Sequence, residues 1–351
     1  MGEKLFMQGN AAMAESAIRA GCKFFFGYPI TPSSEVPEYY ARKMKEHPEE
    51  GLCFVQGETE VAVFNMIAGT AATGHRVMTA TSGPGFSLGQ EAMSYMAAAD
   101  LPAVVVEVMR PGPADGEILP AQGDYFQAVK GGGHGDYHVL VLAPYSVQEM
   151  CELIQECFEL AEKYRNPVVL LSDALLAKMR ESVELPGEKE APAGFDWALR
   201  GCGKGKPHIF TTCGDGPAQW EAYNLRLQKK FRKIRENEER WENWYVEDAQ
   251  IILVAYGSMA RIALGAVKMA REEGIRAGLI RPISLWPFPA KAFAGLDDRK
   301  FLVTELSAGQ MVEDVKLTVA RKENVSFYGR LGGAVPSPKE ILERIREAGG
   351  K

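Results

Sequence analysis

The sequence predicts an α/β fold, in which a doubly wound parallel sheet precedes a smaller α/β domain. Short apolar runs alternate with helical patterns along the first half of the 351-residue chain. These runs are continuously apolar, which is typical of parallel strands that are buried on both faces. Glycine accounts for 36 of the 351 residues, against an average of roughly 7%. Such an excess favours many tight strand-to-helix turns and close backbone approach to a ligand.

Six strands are predicted for a first domain over residues 1–185. The helices between them are amphipathic, as in the segment VQEMCELIQECFELAEKY. The predicted strands are Lys23–Ile30, Leu52–Gln56, Arg76–Thr81, Ala103–Met109, His138–Leu142 and Pro167–Leu171.

A second α/β pattern covers residues 250–351, with a helix predicted over Ser258–Glu273 directly after a glycine turn. Residues 186–249 form a connector in which a linker-like ELPGEKEAPAG precedes a charged, helix-compatible run. The aromatic residues of that run favour packing on the body of the protein over docking of a partner. The strands predicted for the second domain are Ile251–Tyr256, Ala277–Ile280, Phe301–Glu305 and Val325–Tyr328.

Composition excludes several classes of protein. The formal net charge is −6, so the chain offers no global positive field for nucleic acid. No stretch approaches 18 apolar residues, and the N-terminus lacks the apolar core of a signal peptide, so neither a membrane span nor secretion is expected. The six cysteines have no metal-ligand spacing, which predicts neither a zinc site nor an iron-sulfur cluster. A cytoplasmic protein with thiols as small core residues is the simplest interpretation.

The segment FFFGYPITPSSE carries the first candidate site. A buried strand ends there in a turn stiffened by Pro29 and Pro32, which brings the hydroxyl of Thr31 to the carboxyl end of the strand. Ligands bind at this edge of a doubly wound sheet, so Thr31 is a candidate contact. Alternatively, Ser33 or Ser34 could simply begin the next helix as an N-cap.

The segment FVQGETEVAVFNMIAGTAATG feeds a strand into a helix with two glutamates in its first turn. Acidic residues are favoured at a helix N-terminus by the helix dipole, so one of them could act only in that way. The helix from Val61 to Ala72 is almost wholly apolar or small, which predicts that Glu60 faces a poorly solvated interface. A carboxyl group in such a place suits protonation chemistry.

Two further segments end strands in loops. TATSGPGFS places Ser82, Gly83 and Gly85 after a strand, without the lysine of a Walker A motif, and indicates close approach of a group to the backbone. VVVEVMRPGP places Arg110 at the end of a buried strand, where it could bind a carboxylate through two hydrogen bonds. A surface ion pair is the alternative for Arg110.

Two other motifs are weaker. KGGGHGDYH places His134 in a glycine loop expected at the same sheet edge, although a single histidine is more often structural. Gly214-Asp215-Gly216 is similar to the start of the magnesium and diphosphate motif of thiamine diphosphate enzymes. The paired asparagines that complete that motif are missing, so we interpret the segment as a turn.

In order and content, YPITPSSE, QGETEVA, TATSGPG, VEVMRPGP and KGGGHGDYH resemble the α-type subunit of 2-oxoacid:ferredoxin oxidoreductases, most of all the 2-ketoisovalerate (branched-chain) type. The segment from VAYGSMAR to LWPFP is similar to the transketolase C-terminal domain that follows in this family, and GRLGGAVPSPKEI is similar to its tail. The resemblance implies a pyrimidine-binding domain of thiamine diphosphate enzymes over residues 1–185.

The resemblance also implies roles. Glu60 would hydrogen-bond the pyrimidine of thiamine diphosphate as the catalytic residue, Thr31 would hold the oxoacid, and Arg110 would bind its carboxylate. The residues expected near the cofactor are Pro29, Ile30, Ser82, Gly83, Gly85 and His134.

The implied reaction is oxidative decarboxylation of a 2-oxoacid to acyl-CoA and CO2, with coenzyme A as co-substrate and ferredoxin as electron acceptor. A β-type subunit would bind the diphosphate and Mg²⁺, and γ-type and δ-type subunits would complete the complex, with iron-sulfur clusters on the partners. No nucleic acid or membrane partner is implied.

Three alternatives remain open. The oxoacid could be 2-oxoglutarate or pyruvate, because those relatives share the same core motifs. The chain could be a non-catalytic assembly subunit in which Glu60 is only a helix cap. It could also be a self-sufficient transketolase-like or decarboxylating enzyme that binds magnesium through Asp215.

Overall fold

A computed structural model describes residues 4–203 and 205–349. The strands in chain order are β1 (Lys4–Gln8), β2 (Phe24–Gly27), β3 (Cys53–Gln56), β4 (Val77–Thr81), β5 (Val104–Met109), β6 (Leu140–Leu142), β7 (Val168–Asp173), β8 (Arg180–Glu184), β9 (Trp241–Trp244), β10 (Ile251–Val254), β11 (Ala277–Pro282), β12 (Ser284–Trp286), β13 (Lys300–Glu305) and β14 (Val325–Gly329).

The α-helices pack against these strands. In chain order they are α1 (Gly9–Arg19), α2 (Glu35–Glu46), α3 (Glu60–Ala72), α4 (Pro84–Ala98), α5 (Tyr125–Val129), α6 (Val147–Tyr164), α7 (Ala174–Lys178), α8 (Pro217–Asn237), α9 (Gly257–Glu272), α10 (Met311–Thr318) and α11 (Pro338–Gly349). Short 3-10 helices lie at Pro48–Glu50, Ala290–Phe293 and Lys322–Asn324.

Within the described residues, the larger sheet has seven strands in the order β12-β6-β7-β5-β4-β2-β3. The six strands from β2 to β7 are parallel to one another, and β4, β5 and β7 are buried along their whole length. Continuous apolar strands are expected where helices cover both faces of a parallel sheet. All six strands predicted for the first half of the chain are therefore confirmed, as is the doubly wound fold class.

A second sheet of the described residues has the order β14-β13-β10-β11-β9. It contains the four strands predicted for the end of the chain, and α9 confirms the helix predicted after the glycine turn. The two sheets are joined by β12, which follows β11 yet pairs antiparallel with β6 of the larger sheet. Ile252, Val254 and Phe301 of the second sheet accordingly belong to the same apolar core as the first.

The charged run of the connector is partly a strand. The helix α8 ends at Asn237, and Trp241–Trp244 forms β9, which pairs antiparallel with β11. Leu227, Phe231 and Ile234 of α8 are buried at helical spacing, so the helix packs on the body as predicted. The expectation that the whole run is helical was wrong, because pairing with β11 overrides the weak local preference of a charged segment.

Two other features differ from expectation. Strands β1 and β8 form a separate antiparallel pair that the periodicity did not indicate. Cysteines 22, 151 and 157 are buried, as predicted for core thiols, whereas Cys202 and Cys213 are exposed. No helix of the described residues combines the length and the apolarity that a membrane span requires.

Candidate active site

The candidate site lies where the direction of winding reverses in the larger sheet. Strand β2 pairs with β3 on one side and with β4 on the other, so the chain crosses β2 between β3 and β4. A crevice forms at the carboxyl ends of the strands at such a reversal, and ligands of doubly wound proteins bind there. Four segments that follow β2, β3, β4 and β5 meet at this edge, and they contain Thr31, Glu60, Ser82 to Gly85 and Arg110.

Glu60 is the first residue of α3. The Thr59 side chain caps the helix by accepting a hydrogen bond of 3.1 Å from the Ala62 amide, so Glu60 is not needed as the cap. Glu60 is 7% exposed, and within the described residues its carboxylate has no hydrogen-bond partner. Glu58, two residues earlier, is exposed. The structure thus separates the two glutamates, with Glu60 facing the crevice interior.

Gly85 lies directly against Glu60. A Cβ atom on Gly85 would be 2.2 Å from Thr81 Oγ1 and 2.6 Å from Glu60 Oε1, so no other residue fits without displacement of a neighbour. The Thr81 and Ser82 hydroxyl groups are buried, and no group of the described residues hydrogen-bonds to them. Buried polar atoms normally have partners, so an unpaired carboxylate beside two unpaired hydroxyls indicates a place for a polar ligand.

Arg110 and Thr31 are joined by a hydrogen bond. Arg110 Nη1 donates to the backbone carbonyl of Thr31 over 2.8 Å, while Arg110 Nε is buried without an acceptor in the described residues. No carboxylate of the described residues lies within 4.0 Å of this guanidinium, so the surface ion pair considered as an alternative is not formed. Arg110 is therefore a fixed, half-buried cation that is able to accept an anion.

The turn after β2 is held by its own hydrogen bonds. Ser33 Oγ donates to the Ile30 carbonyl over 2.8 Å, and Ser34 precedes α2 without a side-chain capping bond. The N-cap alternative is thus not realised by either hydroxyl, although Ser33 stabilises the turn. Pro29 is exposed and Ile30 is half-buried, so both are accessible at the rim.

Two acidic residues below the loop from Ser82 to Gly85 were missed by sequence reasoning. Glu107 lies on β5 and is fully buried, and its Oε1 accepts a hydrogen bond of 2.7 Å from the Gly83 amide. Burial raises the pKa of Glu107 well above its ordinary value, and the charge of Asp124 raises it further. A single acidic residue within the apolar run VVVEVM was the available signal, since buried carboxyl groups are rare.

The structure does not bring His134 into this group. His134 is exposed in the loop that leads into the amino end of β6, whereas Arg110 follows the carboxyl end of β5. That loop packs on α4, where the Gly132 amide donates to Gln90 Oε1 over 3.1 Å. The expectation that His134 lies at the same edge was wrong, because its loop precedes β6, and the amino ends of parallel strands lie at the opposite edge of the sheet from their carboxyl ends.

Asp215 lies in an exposed turn before α8, where its amide donates to the Gln219 side chain. Among the described residues, no group of three or more histidine, cysteine, aspartate or glutamate side chains is placed to hold a metal ion. The segment around Asp215 is therefore a turn in this structure.

Two family models match nearly the whole chain. Residues 15–237 match the model described as pyruvate flavodoxin/ferredoxin oxidoreductase, thiamine diphosphate-binding. Residues 249–341 match core domain II of pyruvate:ferredoxin oxidoreductase. The thiamine diphosphate-binding model includes all the strand ends that form the crevice.

Relatives of similar length agree with these models. The chain is 48% identical to the ketoisovalerate oxidoreductase subunit VorB of Methanothermobacter thermautotrophicus, over 98% of this chain and 97% of that protein. It is 38% identical to the 2-oxoglutarate synthase subunit KorA of Methanothermobacter marburgensis, over 98% of this chain and 99% of that protein.

Solved structures support the same fold. The 2-oxoglutarate:ferredoxin oxidoreductase of Magnetococcus marinus superimposes with a TM-score of 0.89 at 28% identity, covering 99% of this chain and 65% of that longer one. A split-gene transketolase superimposes with a TM-score of 0.58 at 14% identity, which shows the fold alone. The chain thus belongs to the 2-oxoacid:ferredoxin oxidoreductase family, as an α-type subunit similar to the ketoisovalerate type.

Proposed function

We propose that this chain binds the aminopyrimidine of thiamine diphosphate through Glu60 and the 2-oxoacid through Arg110 and Thr31. The assembled enzyme oxidatively decarboxylates 2-ketoisovalerate and related branched-chain oxoacids to acyl-CoA and CO2, with coenzyme A as co-substrate and ferredoxin as electron acceptor. The observation that carries the proposal is the unpaired, buried carboxylate of Glu60 beside Gly85, within the part of the chain that matches a thiamine diphosphate-binding model.

The residues present suit the cofactor. Glu60 offers an acceptor that nothing else in the described residues uses, and Gly85 leaves space on one side of it. When bound, thiamine diphosphate supplies the nucleophilic carbon that attacks the oxoacid carbonyl. Glu60 would hydrogen-bond the pyrimidine nitrogen and so favour the tautomer that the reaction requires.

Arg110 and Thr31 position the oxoacid. Arg110 is held by its hydrogen bond to the Thr31 carbonyl and lies beside the Gly83 loop, and no carboxylate of the described residues lies within 4.0 Å of its guanidinium. A substrate carboxylate would bind this guanidinium through charge-assisted hydrogen bonds. The Thr31 side chain is half-buried on the same turn. Binding of the oxoacid by Arg110 and Thr31 would orient its carbonyl group.

Two observations support a branched-chain oxoacid. Identity to the ketoisovalerate subunits is 47–48%, against 37–39% for the 2-oxoglutarate subunits. In the four segments GYPIT, QGETE, TSGPG and EVMRP, Arg110 is the single basic residue. One cation matches the one carboxylate of 2-ketoisovalerate, whereas 2-oxoglutarate carries two. The 2-oxoglutarate relatives make that oxoacid the second candidate.

The remaining subunits are a β-type subunit that binds diphosphate and Mg²⁺, a γ-type subunit and a ferredoxin-like δ-type subunit, with iron-sulfur clusters on the partners. Apolar side chains exposed on α3 and α4 support a partner beside Glu60: Val61 is 41% exposed, Leu88 52% and Tyr95 55%. Such a patch is typical of a protein interface. We also retain residues 1–185 as the pyrimidine-binding domain, 186–249 as the connector and 250–351 as the transketolase-like domain, in a cytoplasmic enzyme.

The test is anaerobic purification of the complex through a tag on this chain, followed by oxoacid-dependent viologen reduction with coenzyme A. We expect co-elution of the partner subunits and the highest kcat/KM for 2-ketoisovalerate among 2-ketoisovalerate, 2-oxoglutarate and pyruvate. A higher kcat/KM for 2-oxoglutarate would favour the second candidate. A complex without activity on any oxoacid would favour the non-catalytic assembly role, and a tagged chain that elutes alone with thiamine diphosphate and Mg²⁺ would favour the self-sufficient enzyme.

A further inference from the structure

Glu107 and Asp124 form a buried pair of carboxyl groups below the crevice. Glu107 Oε1 accepts from the Gly83 amide over 2.7 Å, and Asp124 Oδ1 accepts from Gln127 Nε2 over 2.5 Å. The two remaining oxygens, Glu107 Oε2 and Asp124 Oδ2, are buried and receive no hydrogen bond from a nitrogen or hydroxyl donor of the described residues. The two carboxyl groups instead lie within hydrogen-bond reach of each other.

The contact between the two carboxyl groups requires that one of them is protonated. Ionised carboxylates only accept hydrogen bonds, so two of them at this distance repel unless one is protonated. Burial and the Asp124 charge both raise the pKa of Glu107. Burial also raises the pKa of Asp124, but hydrogen bonds from Gln127 and Glu107 oppose that rise. Glu107 is thus the neutral member that donates to Asp124, and Asp124 carries the single negative charge.

The groups that face this pair come from each neighbouring element. Arg110, three residues after Glu107, lowers the pKa of both acids through its charge. Glu107 pairs with Thr81 on β4 and with Leu171 on β7, and neither of these side chains is charged. A Cβ on Gly83 would lie 3.6 Å from Arg110 Cγ, so the loop held by Glu107 also packs against the arginine.

We propose that Glu107 is a positioning residue that works as a neutral acid: it fixes the Gly83 loop and Asp124, and it leaves the charge of Arg110 for the carboxylate of the oxoacid. The inference rests on the proposed role of Arg110 in binding the substrate. Gly83 has φ +40°, an unusual conformation that the hydrogen bond to Glu107 helps to hold. An ionised Glu107 would lose its bond to Asp124 and attract Arg110, so the affinity for the oxoacid would fall.

The test replaces Glu107 by glutamine in the assembled complex. Glutamine keeps one acceptor for Gly83 and one donor for Asp124 but has no proton to lose. At pH 7 we expect kcat/KM within about threefold of wild type. At alkaline pH the KM of the wild type for 2-ketoisovalerate should rise as Glu107 ionises, whereas the KM of Glu107→Gln should stay flat. In Asp124→Asn the rise in KM should occur at lower pH than in the wild type, since this variant lacks the charge that disfavours ionisation of Glu107.

Glu343→Gln, at an exposed position of α11, is the matched control and should follow the wild-type pH profile. Loss of assembly in Glu107→Gln, or a tenfold rise in its KM at pH 7, would overturn the inference, because a neutral isostere should be tolerated. An alkaline rise in KM that persists in Glu107→Gln would overturn it as well.

Failure of the proposed function can be distinguished from failure of this inference. A wild-type complex that turns over no oxoacid would contradict the function alone, and thermal unfolding would then test the proton on Glu107. A carboxyl group whose pKa is raised by folding stabilises the protein at low pH, and this stability is lost as pH rises. The Tm of Glu107→Gln relative to wild type should therefore increase between pH 6 and pH 9. A constant difference would contradict the inference.

Discussion

The carboxylate of Glu60 occupies the space that a side chain at position 85 would need, with only 2.6 Å between Glu60 Oε1 and the position of a Cβ atom on Gly85. This proximity explains why a glycine follows Pro84 at the start of α4. It also ties the position of Glu60 to the backbone of the first turn of α4. Substitution of Gly85 therefore tests the geometry of Glu60 without changing its chemistry.

We expect Gly85→Ala to lower oxoacid-dependent activity strongly, because the methyl group must displace Glu60 or Thr81. Overpacking of this kind costs about 1–3 kcal/mol of folding free energy, so we expect the variant still to fold. The measurement is viologen reduction together with thiamine diphosphate content of the purified complex. Gly187→Ala is the control, since a Cβ on Gly187 meets nothing within 4 Å. Equal activity of the two variants would show that Glu60 has room to move.

Arg110→Ala should raise the KM for 2-ketoisovalerate by roughly 10- to 100-fold, the loss expected when a charge-assisted hydrogen bond is removed. The effect on kcat should be smaller, since the arginine is proposed to contact the carboxylate and not the reacting carbonyl. Arg110→Lys should recover only part of the affinity because lysine lacks the planar fork. Arg232→Ala, at an exposed position on α8, is the control. An unchanged KM in Arg110→Ala would remove Arg110 from the substrate site.

The exposed apolar patch on α3 and α4 predicts the surface that binds the β-type subunit. Tyr95→Asp and Leu88→Asp should reduce co-elution of the β-type subunit with the tagged chain, because a charge in an interface must be desolvated. Each chain should still fold, since both side chains are more than half exposed. Leu317→Asp on α10, where the leucine is 73% exposed, is the control. Undiminished co-elution of the two patch variants would place the interface elsewhere.

His138 makes stability depend on pH in the acidic range. Its ring stacks on Trp286 of β12 with centroids 4.5 Å apart. Burial, together with the charge of Arg235, lowers its pKa to about 4. The unfolded chain binds a proton at higher pH than the folded one, so stability is lost as pH falls from about 6.5 towards 4.

His138→Phe keeps the stacking and removes the titration. The loss of Tm on acidification should therefore be smaller in this variant than in the wild type, as measured by thermal unfolding at pH 7, 6 and 5. His134→Gln, at an exposed position, should follow the wild type. If the Tm of His138→Phe and of the wild type fell equally with pH, the loss of stability in acid could not be assigned to His138.

Much of the fold follows from local sequence because β4, β5 and β7 are buried on both faces, and a continuous apolar run is the direct consequence. What local sequence does not contain is the partner of a short strand. Ser284–Trp286 is only three residues long, and its pairing with β6 depends on where the two sheets meet. The pairing of Trp241–Trp244 with β11 is likewise set by tertiary contact.

In the candidate site, too, some residues could be predicted from local sequence and others depend on tertiary contacts. Thr31 and Arg110 could be predicted because they follow buried strands, and Glu60 because an apolar helix follows it. The Glu107 and Asp124 pair could not, since the two residues lie on a strand and on the loop after it and meet only when the chain folds back. His134 was misplaced because a glycine loop does not by itself indicate a ligand edge, and the strand predicted at His138–Leu142 follows the loop and so places it at the amino end of that strand.

The central claim is that Glu60 acts on the cofactor and is not merely a helix cap. The most direct test compares Glu60→Gln with Glu58→Gln in the anaerobically purified complex, because the two glutamates are only two residues apart but only Glu60 is buried. We expect Glu60→Gln to assemble normally and to lose roughly 100-fold or more of 2-ketoisovalerate-dependent viologen reduction, the scale of general acid–base catalysis, while Glu58→Gln retains wild-type activity. Wild-type activity in Glu60→Gln would contradict the account.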